Sequence, residues 1–166
     1  RIRRNTRRSS AKGRPVRTQA DRADRYDLYQ NAVQDPDGDV VRVRRMYERA
    51  LGGTPRLLRE DFCGTAAFAA SWVRLHRENR AWGVDLDPEP LDWGRRHNLM
   101  KLRPEQRGRV TLVQDDVRLA RTPKVDILVA FNFSYFLFKE RAELLRYFKR
   151  SYAALKPRGM FAIDAY

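Results

Sequence analysis

The sequence predicts an α/β fold: a doubly wound, mostly parallel sheet with helices on both faces. Two observations carry this prediction. Short apolar segments recur along the chain, and most are separated by amphipathic stretches of helical length, a pattern typical of right-handed crossovers between parallel strands. The 166 residues include 42% hydrophobic residues, which suffices for one sizeable core and argues against a disordered chain.

The individual elements can be predicted in chain order. Apolar residues at helical spacing between Tyr26 and Val33 predict a first helix. Asp39 is expected to cap a second helix, which stops at Gly52 and Gly53. Three further helices are predicted over about 66–75, over 88–97 behind the N-cap Asp87, and over about 144–155. Five strands are predicted at about 56–62, 81–86, 109–114, 125–131 and 159–165.

The positive charge is concentrated at the N-terminus. Residues 1–19 contain eight of the 35 basic residues and no acidic one, which leaves 27 basic and 21 acidic residues over 20–166. We expect this arm to be disordered, because it has too few apolar side chains to offset its ordering entropy. A phosphate-binding or RNA-binding arm and a targeting leader are the alternatives. The predicted organisation is a basic arm over 1–19, a helical lid over 20–53 and a ligand-binding domain over 54–166.

Several classes of protein are disfavoured by the composition. No apolar run approaches the ~20 residues that cross a bilayer, so we expect no membrane partner and a cytoplasmic location. The single cysteine, Cys63, cannot form an internal disulfide, and with His76 and His97 it gives no recurrent metal-ligand spacing. We therefore predict no metal site, and we interpret Cys63 as a small packing residue rather than a nucleophile.

Acidic residues follow three of the predicted strands. Ligands of a doubly wound sheet bind beyond the carboxyl ends of its strands. The first strand end carries Glu60 and Asp61, the second carries Asp85, and the third carries Asp116. Carboxylates at these places would repel a pyrophosphate and attract a cationic nucleoside. Asp85 lies 21 positions after Gly64, the usual separation for a carboxylate that binds a ribose diol.

The order and spacing of these motifs resemble the class I S-adenosylmethionine-dependent methyltransferases. The strings LREDFCGT at 58–65 and AFNFSY at 130–135 are similar to one branch of that superfamily, found in bacteria and plants. The resemblance covers about 56–166 and implies a Rossmann-like sheet, S-adenosyl-L-methionine as cofactor and methyl transfer as activity. The family sheet normally has seven strands and the sequence shows five, so we expect the last strands of the family sheet to be missing.

The resemblance implies roles for residues near the methionine end of the cofactor. Glu60 would support the methionine amino group, with Asp61 as a second candidate. The backbone of Gly64 would approach the cofactor, with Cys63 and Thr65 in the same loop.

One departure from the family pattern concerns this loop. The family normally has three glycines, and here Phe62 and Ala66 occupy two of the three places around Gly64. We therefore expect Phe62 to point away from the ligand.

The adenosine end of the cofactor is assigned in the same way by the resemblance. Asp85 would accept from the ribose hydroxyls, and Leu86 would pack on the adenine face. Asp116 would accept from the adenine amine, and Val117 would offer its backbone N–H to the ring. Phe131, after the fourth strand, would lie near the sulfonium.

The expected function is methyl transfer by in-line displacement to an unidentified acceptor. Asn132, which follows Phe131, and Tyr135 are candidates for orienting or deprotonating the acceptor, with Asp164 as a further candidate. A small-molecule acceptor is favoured over nucleic acid. One alternative is a nucleic-acid-binding protein or RNA methyltransferase that uses the basic arm. A nicotinamide-dependent oxidoreductase is less favoured, because the loop lacks G-x-G-x-x-G and carries acids where phosphates would lie.

Overall fold

A computed structural model describes residues 23–165 of the chain. Within that range five strands form a sheet in which every pairing is parallel. The strands are β1 (Leu57–Asp61), β2 (Arg80–Asp85), β3 (Val110–Gln114), β4 (Val125–Ala130) and β5 (Leu155–Ile163). Their order in the sheet is β3-β2-β1-β4-β5, which confirms the predicted doubly wound class. The predicted basic arm over 1–19 lies outside the described residues.

Helices precede the sheet and connect its strands. They are α1 (Arg25–Val33), α2 (Pro36–Leu51), α3 (Ala67–Leu75), α4 (Pro88–His97), α5 (Pro104–Arg107) and α6 (Arg141–Ala153). Asp87 caps α4 as predicted, since its Oδ1 accepts from the Glu89 backbone N–H at 2.9 Å and Pro88 takes the first helical position. Among residues 23–165, no helix combines the length and apolar character that crossing a membrane requires.

Both faces of the sheet are covered. α2 and α3 pack on the face that carries Leu58 and Ile127. α6 packs on the other face through Tyr147, which is fully buried beside Val84 and Ala130. The chain progresses to one side of β1 through β2 and β3, and to the other side through β4 and β5. The crossovers diverge between β1 and β4, so the carboxyl ends of these two strands are where this fold places its ligands.

The structure corrects the predicted start of α2. The N-cap is Asp35 and not Asp39, because Asp35 Oδ1 accepts from the Gly38 backbone N–H at 3.2 Å. Pro36 follows with the fixed φ of a first helical residue, so the helix begins before the predicted cap. Asp39 lies within the first turn, where its carboxylate pairs with Arg42 at 2.6 Å.

The structure also shows β5 starting earlier than predicted. Val125 of β4 pairs with Leu155, and the next pair along the ladder joins Ile127 to Met160. The residues between these pairs bulge out of the ladder. Pro157 lies in the bulge, and a bulge accommodates a residue that cannot donate a ladder hydrogen bond.

Candidate active site

The loop after β1 has a left-handed backbone at three alternate positions. Phe62, Gly64 and Ala66 have φ values of 56°, 50° and 55°. These are the positions to which the resemblance assigns glycine, so the loop keeps a glycine-like conformation although two of the residues have side chains. A Cβ placed at Gly64 would meet no atom within 4 Å. The loop backbone is therefore open to a ligand at Gly64.

Phe62 and Cys63 pack against the interior at the start of this loop, and both also border the cavity beside it. The Phe62 ring lies 5.6 Å from the Tyr147 ring and 6.0 Å from the Phe138 ring, between centroids. Cys63 is buried, and its Sγ would lie 2.9 Å from a Cβ added to Gly83. Burial also raises the pKa of the Cys63 thiol, which disfavours the thiolate. These contacts agree with the interpretation of Cys63 as a packing residue.

Of the two acidic residues at the end of β1, Glu60 is the one that faces the cleft. Its Oε2 accepts from the Ala69 backbone N–H at 3.0 Å, in the first turn of α3. Burial, with the nearby charges of Asp85 and Asp61, raises the pKa of Glu60 to about 8. A cation bound beside Glu60 would favour its charged form, so this environment suits a positively charged ligand group.

Asp61 points away from Glu60, because successive side chains of a strand face opposite sides of the sheet. Its Oδ1 lies 2.6 Å from Arg59 Nε, and its Oδ2 accepts from the Tyr147 hydroxyl at 3.0 Å. The Arg59 guanidinium also donates to the Val117 carbonyl at 2.8 Å. Through Tyr147, Asp61 links β1 to α6. Asp61 is fully buried, and the structure does not bring it into the cleft.

Asp85 and Leu86 lie at the carboxyl end of β2. Asp85 Oδ2 accepts from the Gly64 backbone N–H at 2.7 Å, and its Oδ1 accepts from the Asp87 backbone N–H at 3.0 Å. Leu86 is 68% exposed, so an apolar surface is presented beside this carboxylate. The geometry therefore places a fixed carboxylate and an exposed apolar side chain next to Gly64, although neither Asp85 nor Leu86 lines the two cavities at the carboxyl ends of β1 and β4.

Asp116 and Val117, after β3, have partners inside the protein. Arg118 donates to both carboxylate oxygens of Asp116, with Nη2 to Oδ2 at 2.6 Å, and this hydrogen bonding lowers the pKa of Asp116. Arg118 also pairs with Glu143 of α6. Val117 is buried. Neither Asp116 nor Val117 lines the two cavities at the carboxyl ends of β1 and β4.

These two cavities lie side by side. The loop cavity has a volume of about 400 Å³, and its walls include Tyr26, Tyr29, Phe62, Cys63, Gly64 and Thr65. The strand-end cavity has a volume of about 380 Å³, and its walls include Asp39, Arg42, Val43, Phe68, Phe131 and Asp164. Three residues line both cavities: Gln34, Glu60 and Asn132. The cavities therefore share a boundary at the ends of β1 and β4.

The turn after β4 is fixed by one carboxylate. Asp164 accepts from the backbone N–H groups of Asn132 and Phe133, at 2.7 and 2.9 Å. Phe131 lines the strand-end cavity, as do Asn132 and Asp164. Tyr135 is buried and lines neither cavity. Of the candidates for handling an acceptor, the structure brings Asn132 and Asp164 to the cleft and does not bring Tyr135 there.

Helix α1 and the turn that follows it also contribute to the cleft. Tyr26 and Tyr29 line the loop cavity, and the Thr65 hydroxyl donates to Gln30 Oε1 at 2.7 Å, which ties α1 to the loop. Gln34 was not predicted. Its Oε1 atom is buried and accepts no hydrogen bond from residues 23–165. Its neighbours Asp35 and Pro36 predict a turn, and a turn prediction carries no information about ligands.

The chain matches a family model described as "Methyltransferase domain" over residues 61–163. Among solved structures, the glycopeptide N-methyltransferase MtfA complexed with S-adenosyl-L-methionine is 19% identical with a TM-score of 0.63, and the match covers 80% of this chain and 55% of that one. CalS10, an amino pentose methyltransferase from Micromonospora echinaspora, is 18% identical with a TM-score of 0.69, covering 85% and 55%. Streptomyces venezuelae DesVI is 20% identical with a TM-score of 0.69, covering 85% and 56%.

Comparison with curated protein sequences gives no match. The chain spans a little over half the length of each of these three solved structures. The family match covers most of the region in which the sequence resembles a methyltransferase, and the solved structures share its fold. This chain therefore belongs to the methyltransferase domain family, with the fold of the class I S-adenosylmethionine-dependent methyltransferases.

Proposed function

We propose that this chain binds S-adenosylmethionine in the loop cavity and directs its methyl group to a small-molecule acceptor in the strand-end cavity. One observation carries the proposal: the two cavities meet at Gln34, Glu60 and Asn132. A methyl transferase must hold donor and acceptor in line at a shared boundary, with water excluded. The volume of each cavity, about 400 and 380 Å³, lies in the range of small-molecule sites.

The residues around the loop cavity fit the cofactor. Gly64 leaves open space beside the loop backbone, and Glu60 offers a carboxylate to which a cation would be favourable. We assign the methionine ammonium group to Glu60, in the wall of the cavity, and the ribose hydroxyls to Asp85, which lies outside that wall and is hydrogen-bonded to Gly64. Leu86, exposed beside Asp85, would cover one face of the adenine. Thr65, in the wall of the same cavity, would complete the loop side of the site.

The assignment of the adenine amine to Asp116 stays a prediction. The Asp116 carboxylate is engaged by Arg118, and the residue lies outside the loop cavity. Binding of adenine at this carboxylate would therefore compete with the Arg118 hydrogen bonds.

At the boundary of the two cavities, the chain's own residues would align the reaction. S-adenosylmethionine supplies an activated methyl group on a sulfonium centre. Asn132 is held by its backbone N–H on Asp164, so its side chain is offered from a fixed turn. Phe131 and Phe68 contact edge to face, with centroids 5.4 Å apart, and give the strand-end cavity an apolar wall. We propose Asn132 as the residue that orients the acceptor.

Calorimetric titration with S-adenosylhomocysteine tests the cofactor assignment. We expect micromolar binding, and no binding of NADH by the same protein. Circular dichroism and a cooperative thermal transition confirm that the sample is folded. A folded protein that binds NADH, or that binds neither compound, would contradict the proposal.

A further inference from the structure

We propose that the acceptor of this enzyme is an amine, bound as its cation in the strand-end cavity. This inference rests on the proposed function and adds the chemical class of the acceptor. Besides Glu60, which is assigned to the cofactor, two acidic residues within 23–165 line the strand-end cavity: Asp39 and Asp164. Among its lining residues within the described part of the chain, Arg42 is the one cationic side chain.

The carboxylates of Asp39 and Asp164 outnumber the one guanidinium, that of Arg42, among the described charged groups that line the cavity beside Glu60. The Asp39 pKa is raised, first by burial and further by the charges of Asp35 and Asp164, while Arg42 opposes the shift. The Arg42 side chain is 65% exposed, so its charge is screened by water, whereas the Asp39 side chain is 33% exposed. A bound cation would relieve the repulsion between the carboxylates.

A second observation points to a ligand with hydrogen-bond donors. Gln34 Oε1 is buried at the boundary of the two cavities and accepts no hydrogen bond within residues 23–165. A buried acceptor without a donor costs free energy, and an N–H group of a ligand would satisfy it. An ether or a carboxylate in the same place has no donor to offer.

The rest of the lining suits the body of such an acceptor. Val43, Phe68 and Phe131 give apolar and aromatic walls, and aromatic faces attract cations. An amine with an apolar or aromatic body would thus place its nitrogen among the carboxylates and its body on these side chains.

The reaction balances without a further reactant. The ammonium form first loses a proton to a cavity carboxylate or to water, which frees the nitrogen lone pair. The nitrogen then attacks the methyl carbon: the C–N bond forms, the S–CH₃ bond breaks, and its electron pair stays on sulfur as a thioether. The methylated ammonium product then loses a proton to solvent or leaves as the cation. Asp39 and Asp164 would attract the cation, and either is a candidate to receive the proton.

The test uses two probes that share one body. We would titrate the chain, saturated with S-adenosylhomocysteine, with 2-phenylethylamine and with 2-phenylethanol at pH 7. We expect the amine to bind at least tenfold more tightly than the alcohol, and the preference to shrink as salt is raised. Equal affinities, or tighter binding of the alcohol, would overturn the amine assignment.

Two variants on one helix separate the cavity charge from the overall charge. Asp39→Asn removes a cavity carboxylate with little change of shape, and we expect it to reduce the preference for the amine by a factor of three to ten. Asp37→Asn is the matched control, because Asp37 lies in the same turn but bonds to Ser71 and Arg74 on α3. Equal losses in the two variants would overturn the proposal.

The two proposals fail in different ways. If S-adenosylhomocysteine binds and the probes do not discriminate, the amine inference is wrong and the cofactor assignment stands. If the folded protein does not bind S-adenosylhomocysteine, both proposals are wrong.

Discussion

The backbone N–H of Gly64 donates to Asp85 Oδ2 at 2.7 Å, across 21 positions of sequence. This bond joins the loop after β1 to the end of β2. The other oxygen of Asp85 accepts from Asp87, so the carboxylate is held in one orientation from both sides. Each carboxylate oxygen retains a further lone pair for a ligand hydroxyl. The residue that fixes the loop is therefore also the residue proposed to bind the ribose.

We predict that Asp85→Ala weakens binding of S-adenosylhomocysteine by about 10- to 100-fold, because hydrogen bonds to a charged group contribute roughly 1.5–3 kcal/mol each. Calorimetric titration measures the change. Asp92→Ala is the control, since Asp92 pairs with Arg95 on the exposed side of α4. Unchanged affinity in Asp85→Ala would count against the proposed site.

The raised pKa of Glu60 predicts pH-dependent cofactor binding. With a pKa of about 8, Glu60 is mostly protonated at pH 6.5, and it must release its proton to pair with the ligand ammonium group. We expect affinity for S-adenosylhomocysteine to rise roughly 15-fold between pH 6.5 and 8, in proportion to the ionised fraction of Glu60. Calorimetry in buffers of different ionisation enthalpy would detect the released proton. Glu60→Gln should bind more weakly, with a flat pH profile over this range.

The raised pKa of Glu60 also predicts that the stability of the folded protein falls as the pH rises, whereas cofactor affinity increases. The pKa of Glu60 is higher in the folded protein than its ordinary value of 4.5, so its contribution to stability is fully present below about pH 4.5 and is lost as the pH rises toward 8. Glu60→Gln should therefore have little effect on stability at pH 4.5 and should stabilise the protein by roughly 3–5 kcal/mol at pH 8, since each pKa unit corresponds to about 1.4 kcal/mol. Urea unfolding at the two pH values measures this. A variant that is less stable than the parent at pH 8 would show that the charged form is favoured in the fold.

The buried position of Asp61 predicts a structural role that can be separated from binding. Tyr147→Phe removes the hydroxyl that donates to Asp61 Oδ2, and it should cost about 1–2 kcal/mol of stability, because the buried carboxylate loses a partner. Cofactor affinity should stay unchanged. Tyr152→Phe on the same helix is the control, since Tyr152 is 81% exposed. A loss of affinity in Tyr147→Phe at constant stability would place Asp61 in the binding site.

Local signals predicted most of the fold. The positions of β1 to β4 and the Asp87 cap were predicted correctly, because each depends on a few neighbouring residues and their periodicity. The N-cap of α2 was wrong because Asp35 and Asp39 are both good capping residues, and Pro36 decided between them. The early start of β5 was missed because a bulge depends on pairing with β4, which no local pattern encodes.

The positions of the candidate site residues could be predicted only in part, because some depend on local sequence and others on contacts between distant segments. Glu60, Gly64 and Asp85 follow from strand ends, which topology brings together. Whether Asp116 faces a ligand depends on the position of Arg118, and the sequence does not specify that rotamer. Gln34 reaches the cleft through the packing of α1 and α2, so its position in the cavity walls is apparent only from the structure.

Helix α2 forms a wall of the strand-end cavity, through residues such as Asp39, Arg42 and Val43, and it contributes no side chain to the loop cavity. The exposed, cavity-facing side of this helix therefore shapes one cavity without altering the walls of the other. If the proposed function is correct, libraries at Asp39, Arg42 and Met46 should yield variants that accept different compounds, with an affinity for the methyl donor close to that of the parent.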